Sequence, residues 1–142
     1  MTASYKNGYF IDSNIWIYAL ANNQDINKRN IACQLVDAEG VIISTQVINE
    51  VCLNLIKKSS FTEQQIIQLI EAFYKGCHII TFNRDIFVNS SNLRSRYHFS
   101  FWDSLIIACA LAAGANILYS EDMQDGLVVD NQLEIVNPFK ER

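Results

Sequence analysis

Short apolar runs alternate with helical patterns along this chain, and that alternation predicts an α/β fold on a parallel sheet of four to five strands. Two further observations support it. The segment Asp103–Ala113 is apolar on all sides, as expected of a helix buried at the centre of a domain. Half of the 142 residues are hydrophobic and only 18% are charged, which excludes disorder and suits a well-buried sheet. The length matches one domain, residues 1–142, and there is no internal repeat, low-complexity segment or linker.

The elements follow in order. The first strand is expected at Gly8–Ile11, then a helix over Asn14–Asn22 and a second over Asp25–Ala38, ending near Gly40. Val41–Ser44 reads as strand two, leading into a helix over Thr45–Lys58. Thr62 and Gln65 form a T-x-x-Q capping box, with Phe61 and Ile66 as its hydrophobic staple. Ile66, Leu69, Ile70 and Phe73 continue that helix at helical spacing until Gly76. Cys77–Thr81 is expected as strand three, Asn83–Ser95 as a weakly patterned helix and Asp103–Ala113 as the buried helix, stopped by Gly114. Asn116–Tyr119 is strand four, and Leu133–Val136 is a closing strand before Pro138, the only proline.

Composition narrows the chemistry. No apolar run is long enough to span a membrane. Tyr9–Ala21 is interrupted by Asp12 and Asn14 and preceded only by Lys6, so it is a poor signal sequence and a cytoplasmic protein is expected. Cys33, Cys52, Cys77 and Cys109 are widely spaced in apolar contexts and read as reduced core residues, without zinc-site spacing. Neither His78 nor His98 has a triad-like neighbour, which removes support for nucleophilic catalysis. The net charge of −4 gives no bulk attraction for nucleic acid. Basic residues still occur in local groups. Most of these read as solvated helix faces, while Arg94 and Arg96, just upstream of Asp103, are the candidates for phosphate contacts.

Four carboxylates stand at the ends of apolar runs: Asp12, Glu50, Asp103 and Asp122. Each has an ordinary structural reading. Asp12 suits a helix N-cap, Ser100-Phe-Trp-Asp103 fits an S-x-x-D capping box, and Asp122, with Glu121 and Asp125, suits a turn. Glu50 flanks the apolar face Val47-Val51-Leu55, as a surface glutamate would. Together they point elsewhere. Asp12, Ser44 and Asp122 end or closely follow three expected strands, and parallel strands bring those ends to one edge, where α/β proteins bind ligands. Two carboxylates about 4 Å apart repel by roughly 4 kcal/mol at an effective dielectric near 20, so a four-acid site needs a cation. All-oxygen donors favour Mg²⁺ or Mn²⁺ over zinc, and such sites commonly serve phosphoryl transfer.

The order Asp12-Ser-Asn after strand one, a mid-helix Glu50, F-x-x-x-D-S-x-I-x-A-x-A around Asp103, and Ser120-Glu-Asp resembles a PIN domain. More narrowly it is similar to the VapC-type toxins of bacterial toxin–antitoxin pairs, over the whole chain. The resemblance implies a three-layer α/β/α fold. It implies that Asp12, Glu50, Asp103 and Asp122 bind one or two Mg²⁺ or Mn²⁺ ions for hydrolysis of single-stranded RNA, with Glu121 and Asp125 as competitors for the fourth place. Ser13 or Asn14, and Ser120, match small polar positions that orient the carboxylates. It further implies a homodimer and a small antitoxin inserted into the active-site groove.

Two other functions compete. A haloacid-dehalogenase-like phosphatase would use Asp12 as nucleophile, but it needs an aspartate where Asn14 stands and a lysine near the last acidic loop, and both are missing. A PIN-like RNA-binding scaffold would need a degenerate site, against which the four acids argue. The helices Thr45–Lys58 and Thr62–Lys75 carry more Ile, Leu, Phe and Tyr than one buried face requires, which suits a symmetric self-contact or an antitoxin helix.

Overall fold

A computed structural model describes residues 8–22 and 25–141. Its strands are β1 (Tyr9–Ile11), β2 (Val41–Ser44), β3 (His78–Ile80), β4 (Ile117–Tyr119), β5 (Val128–Val129) and β6 (Leu133–Val136). Its helices are α1 (Ser13–Leu20), α2 (Ile26–Val36), α3 (Thr45–Ser59), α4 (Glu63–Gly76), α5 (Arg84–Tyr97) and α6 (Phe101–Ala112). The strands form one sheet in the order β3-β2-β1-β4-β6-β5. All neighbours pair in parallel except β5 with β6.

The sheet therefore has six strands instead of four or five. The added strand, β5, turns back through Asp130 and Asn131, both at positive φ, with the Gln132 amide donating to the Val129 carbonyl at 3.0 Å. Two adjacent Asp/Asn residues at positive φ are the mark of a tight hairpin turn. That signal stands in Val128-Val-Asp-Asn-Gln132, although two strand residues are too short a run to show alternation.

The chain moves from β1 through β2 to β3 on one side, then returns to place β4 on the other side of β1. Right-handed crossovers put the β1–β3 helices on one face and the β3–β4 helices on the opposite face. The packing agrees: α1 lies against α2 and α3, while α5 lies against α6, which also reaches β2. Phe10, Ile11, Ile42, Ile43 and Leu118 fill the centre without exposure. In α6 every residue from Ser104 to Ala110 is buried, as its apolar circumference demands. This helix begins two residues earlier than its apolar run suggests, because Ser100 caps it. Among the described residues no helix is long and apolar enough to cross a membrane.

Candidate metal centre

The reversal of strand order between β1 and β4 opens a crevice at the carboxyl ends of these two strands, the usual ligand position in such sheets. Parallel register sets Ile11 beside Tyr119, so the next residues, Asp12 and Ser120, are neighbours although far apart in the chain. Ser120 Oγ donates to Asp12 Oδ2 at 2.9 Å, and the Ser13 amide donates to Asp12 Oδ1 at 2.7 Å. An N-cap side chain ordinarily accepts from the second or third helical amide. Asp12 accepts from the first amide instead and gives its other oxygen to the neighbouring strand's serine. It is a cap in position, but its second oxygen is turned to the serine at the end of the neighbouring strand.

The other acids attach to this pair. Ser13 Oγ donates to Glu50 Oε2 at 2.9 Å, and Gln46 Nε2 donates to Glu50 Oε1 at 3.2 Å. Asn14 Nδ2 donates to Asp122 Oδ2 at 2.9 Å, and the Asp122 amide donates to Ser120 Oγ at 3.3 Å. Asp103 enters from α6, where its amide donates to Ser100 Oγ at 3.2 Å. Its carboxylate has no hydrogen-bond partner among the described residues. Burial pushes the Asp12 carboxyl up to about 6, hydrogen bonds from Ser120 and Ser13 oppose the rise, and the charges of Glu50 and Asp103 add to it. Asp12 thus feels the charges of two acids from segments remote in sequence.

The rival acids are engaged elsewhere. Glu121 pairs with Lys28 Nζ and accepts from the Tyr18 hydroxyl at 2.8 Å. Asp125 Oδ1 accepts from the Asn137 amide at 2.8 Å. The two arginines expected to contact phosphate have partners within the chain. Arg94 Nη1 donates to Ser104 Oγ at 2.7 Å, and its guanidinium lies 4.6 Å from the centre of the Phe101 ring. Arg96 forms a two-bonded pair with Asp130. Both arginines join elements of the fold. Of the cysteines, only Cys109 is fully buried, and all four are free thiols.

The fit to a divalent ion rests on three observations. The donors are all oxygen, as Mg²⁺ and Mn²⁺ prefer. Asp12 carries a raised carboxyl that a cation would relieve. Asn14 Oδ1 is buried and has no hydrogen-bond partner among the described residues, and such an atom calls for a water or an ion. No three His, Cys, Asp or Glu side chains among the described residues are already close enough to hold an ion as they stand. Each of the four carboxylates but Asp103 is held by a neutral donor.

The PIN domain family model matches residues 9–124, most of the chain and all four acids. This chain belongs to the PIN domain family. No curated protein matches it. Among solved structures, this PIN domain is similar to a toxin–antitoxin complex from Klebsiella pneumoniae at 21% identity and TM-score 0.71, over 94% of this chain and 100% of that one. VapC20 of Mycobacterium tuberculosis, described as a toxin cleaving the sarcin–ricin loop, aligns at 19% identity and TM-score 0.62, over 81% of this chain and 90% of that one. VapBC2 of Rickettsia felis, bound to a DNA fragment from its promoter, aligns at 22% identity and TM-score 0.62, over 91% and 98%. At these identities the likeness concerns the fold, and it confirms the expected PIN architecture.

Proposed function

We propose that this PIN domain is a Mg²⁺- or Mn²⁺-dependent endoribonuclease and the toxin of a toxin–antitoxin pair, acting in the cytoplasm. The reading is supported by the hydrogen-bonded chain at the carboxyl ends of β1 and β4, in which Asp12 is held by Ser120 and Ser13, Glu50 by Ser13 and Asp122 by Asn14. The charges of Glu50 and Asp103 add to the rise of the Asp12 carboxyl. Asp12, Glu50, Asp103 and Asp122 would hold the ion. When bound, it supplies Lewis-acid activation of water and neutralises charge on the scissile phosphate. The chain's own neutral groups prepare the site: Ser120 and Ser13 fix both oxygens of Asp12, Ser13 and Gln46 fix those of Glu50, and Asn14 holds Asp122. Supporting groups of this kind hold ligand oxygens in place before an ion arrives. Hydrolysis joins a water oxygen to phosphorus and breaks one ester bond, and the leaving oxygen takes up a proton.

The partner reading draws on the toxin–antitoxin neighbours and on a surface. Leu53, Ile56, Ile67 and Tyr74 are exposed on α3 and α4, an apolar excess that suits a symmetric homodimer or an antitoxin helix. Light scattering at high micromolar concentration is the check on the dimer, and a monomer there rejects it. The activity is tested with single-stranded RNA in Mg²⁺ or Mn²⁺. Cleavage should stop with EDTA, and RNA binding without cleavage by the wild type would instead make the domain a scaffold.

A further inference from the structure

The arginines singled out in the sequence are bound into the fold, yet a chain of net charge −4 that cuts RNA must still neutralise substrate phosphates. A groove of about 360 Å³ beside the carboxylates meets that need. This volume lies within the ~300–1,000 Å³ range of small-ligand sites. One wall is a face of α1 and its end, with Asn14, Ile17, Tyr18 and Ala21 at helical spacing. The other wall comes from α3, where Asn54 and Lys58 line the groove.

Glu50, Asn54 and Lys58 are four residues apart in succession, so they form one stripe on α3. The stripe starts at the metal centre and ends about 12 Å along the helix axis at the lysine. Asn14 belongs to both places: it holds Asp122 and lines the groove. Lys58 makes no salt bridge among the described residues. The acid of the groove, Glu121, is matched by Lys28, so its charge does not repel a phosphate. The Asn54 amide offers both a donor and an acceptor, the pair that a base edge requires.

We infer that this groove is a nucleotide subsite of the nuclease centre, in which Lys58 pairs with a phosphate flanking the scissile bond and Asn54 hydrogen-bonds the adjoining nucleotide. The inference rests on the ribonuclease reading.

The test measures cleavage of a single-stranded RNA oligonucleotide by the wild type, Lys58→Ala, Lys58→Arg and Asn54→Ala. Equilibrium binding of the same RNA is measured across a salt series, with each change also made in Asp103→Asn protein. Lys58→Ala should raise KM and Kd by roughly tenfold, the size of a lost charged hydrogen bond. It should also lower the slope of log K against log salt by about 0.7 to 1. Lys58→Arg should keep the slope, and Asn54→Ala should raise KM with the slope unchanged. Wild-type KM, Kd and slope in Lys58→Ala, with RNA still cut by the unaltered chain, would overturn the subsite and leave the nuclease reading standing. A Lys58→Ala effect on oligomeric state alone would make the groove a protein contact and overturn it too. Failure of the wild type both to cut and to bind RNA removes the two readings together.

Discussion

Two helices of this protein begin with the same kind of signal and use it differently. At α4 the box closes: Gln65 donates its amide to Thr62 Oγ1 at 3.2 Å, and the Gln65 side chain accepts from the Thr62 amide at 2.8 Å. At α6 only half of it forms. The Asp103 amide reaches Ser100 Oγ, and the Asp103 carboxylate is left without a hydrogen bond among the described residues. Glutamine is one methylene longer than aspartate, so its amide can reach back to the cap while its backbone stays helical. The shorter acid turns toward the crevice, where its charge raises the Asp12 carboxyl. A motif that closes on itself at the start of one helix leaves a carboxylate without a hydrogen-bond partner among the described residues at the start of the other.

The sharpest way to break this contrast is to remove the acid. Asp103→Asn and Asp12→Asn should each lower RNA cleavage by more than about 100-fold, beyond the loss expected of a residue that only supports a ligand. Both variants should remain folded by circular dichroism. Two variants that cut at the wild-type rate would return Asp103 to the status of a cap.

Supporting residues come next. Asn14→Ala frees Asp122, and Ser120→Ala frees one oxygen of Asp12, so each should cost roughly 10- to 100-fold in cleavage or metal affinity. Comparable activity in both would show that the acids orient themselves.

Thermal melts separate the two helix starts directly. An ion at about 100 times its Kd adds roughly 2.7 kcal/mol to stability, and each kcal/mol moves Tm by about 2–4 °C in a domain near this size. Mn²⁺ should therefore raise Tm by about 5–10 °C. Asp103→Asn should shrink that shift and slightly raise Tm without metal, because a like charge has gone. Thr62→Ala should lower Tm by about 2–4 °C through loss of roughly 1 kcal/mol of capping, with or without Mn²⁺ and with cleavage unchanged. A metal-independent fall in Asp103→Asn would make the two helix starts equivalent.

The smallest effect expected is on pH. The Asp12 carboxyl rises from 3.8 to about 6 on folding, chiefly through burial, so folding favours its protonated form. That contribution is complete below pH 3.8 and is lost as pH rises through about 6. Metal-free protein should thus show a Tm component that declines across this window. Asp12→Asn should lack it, and an identical slope in the variant would assign the titration to another group.

What was legible in the sequence is local. The Thr62 box, the all-round burial of α6 and the five parallel strands follow from patterns within a dozen residues, because dihedral preference and periodic burial act over such distances. The order of the four acids along the chain also identified the PIN fold. What the tertiary structure decided lies between segments. Glu121 and Asp125 compete with Asp122 in the sequence, where Asp122 is preferred for its place after Ser120. That Lys28 and Asn137 come to rest against the two competitors is visible only in the structure. Arg94 and Arg96 look free until Ser104 and Asp130 arrive. The Asp12–Ser120 bond joins residues 108 positions apart, and it exists because β1 and β4 pair in register. Composition alone does not specify such a pairing, since it depends on which strands adjoin and which side chains their ends then share.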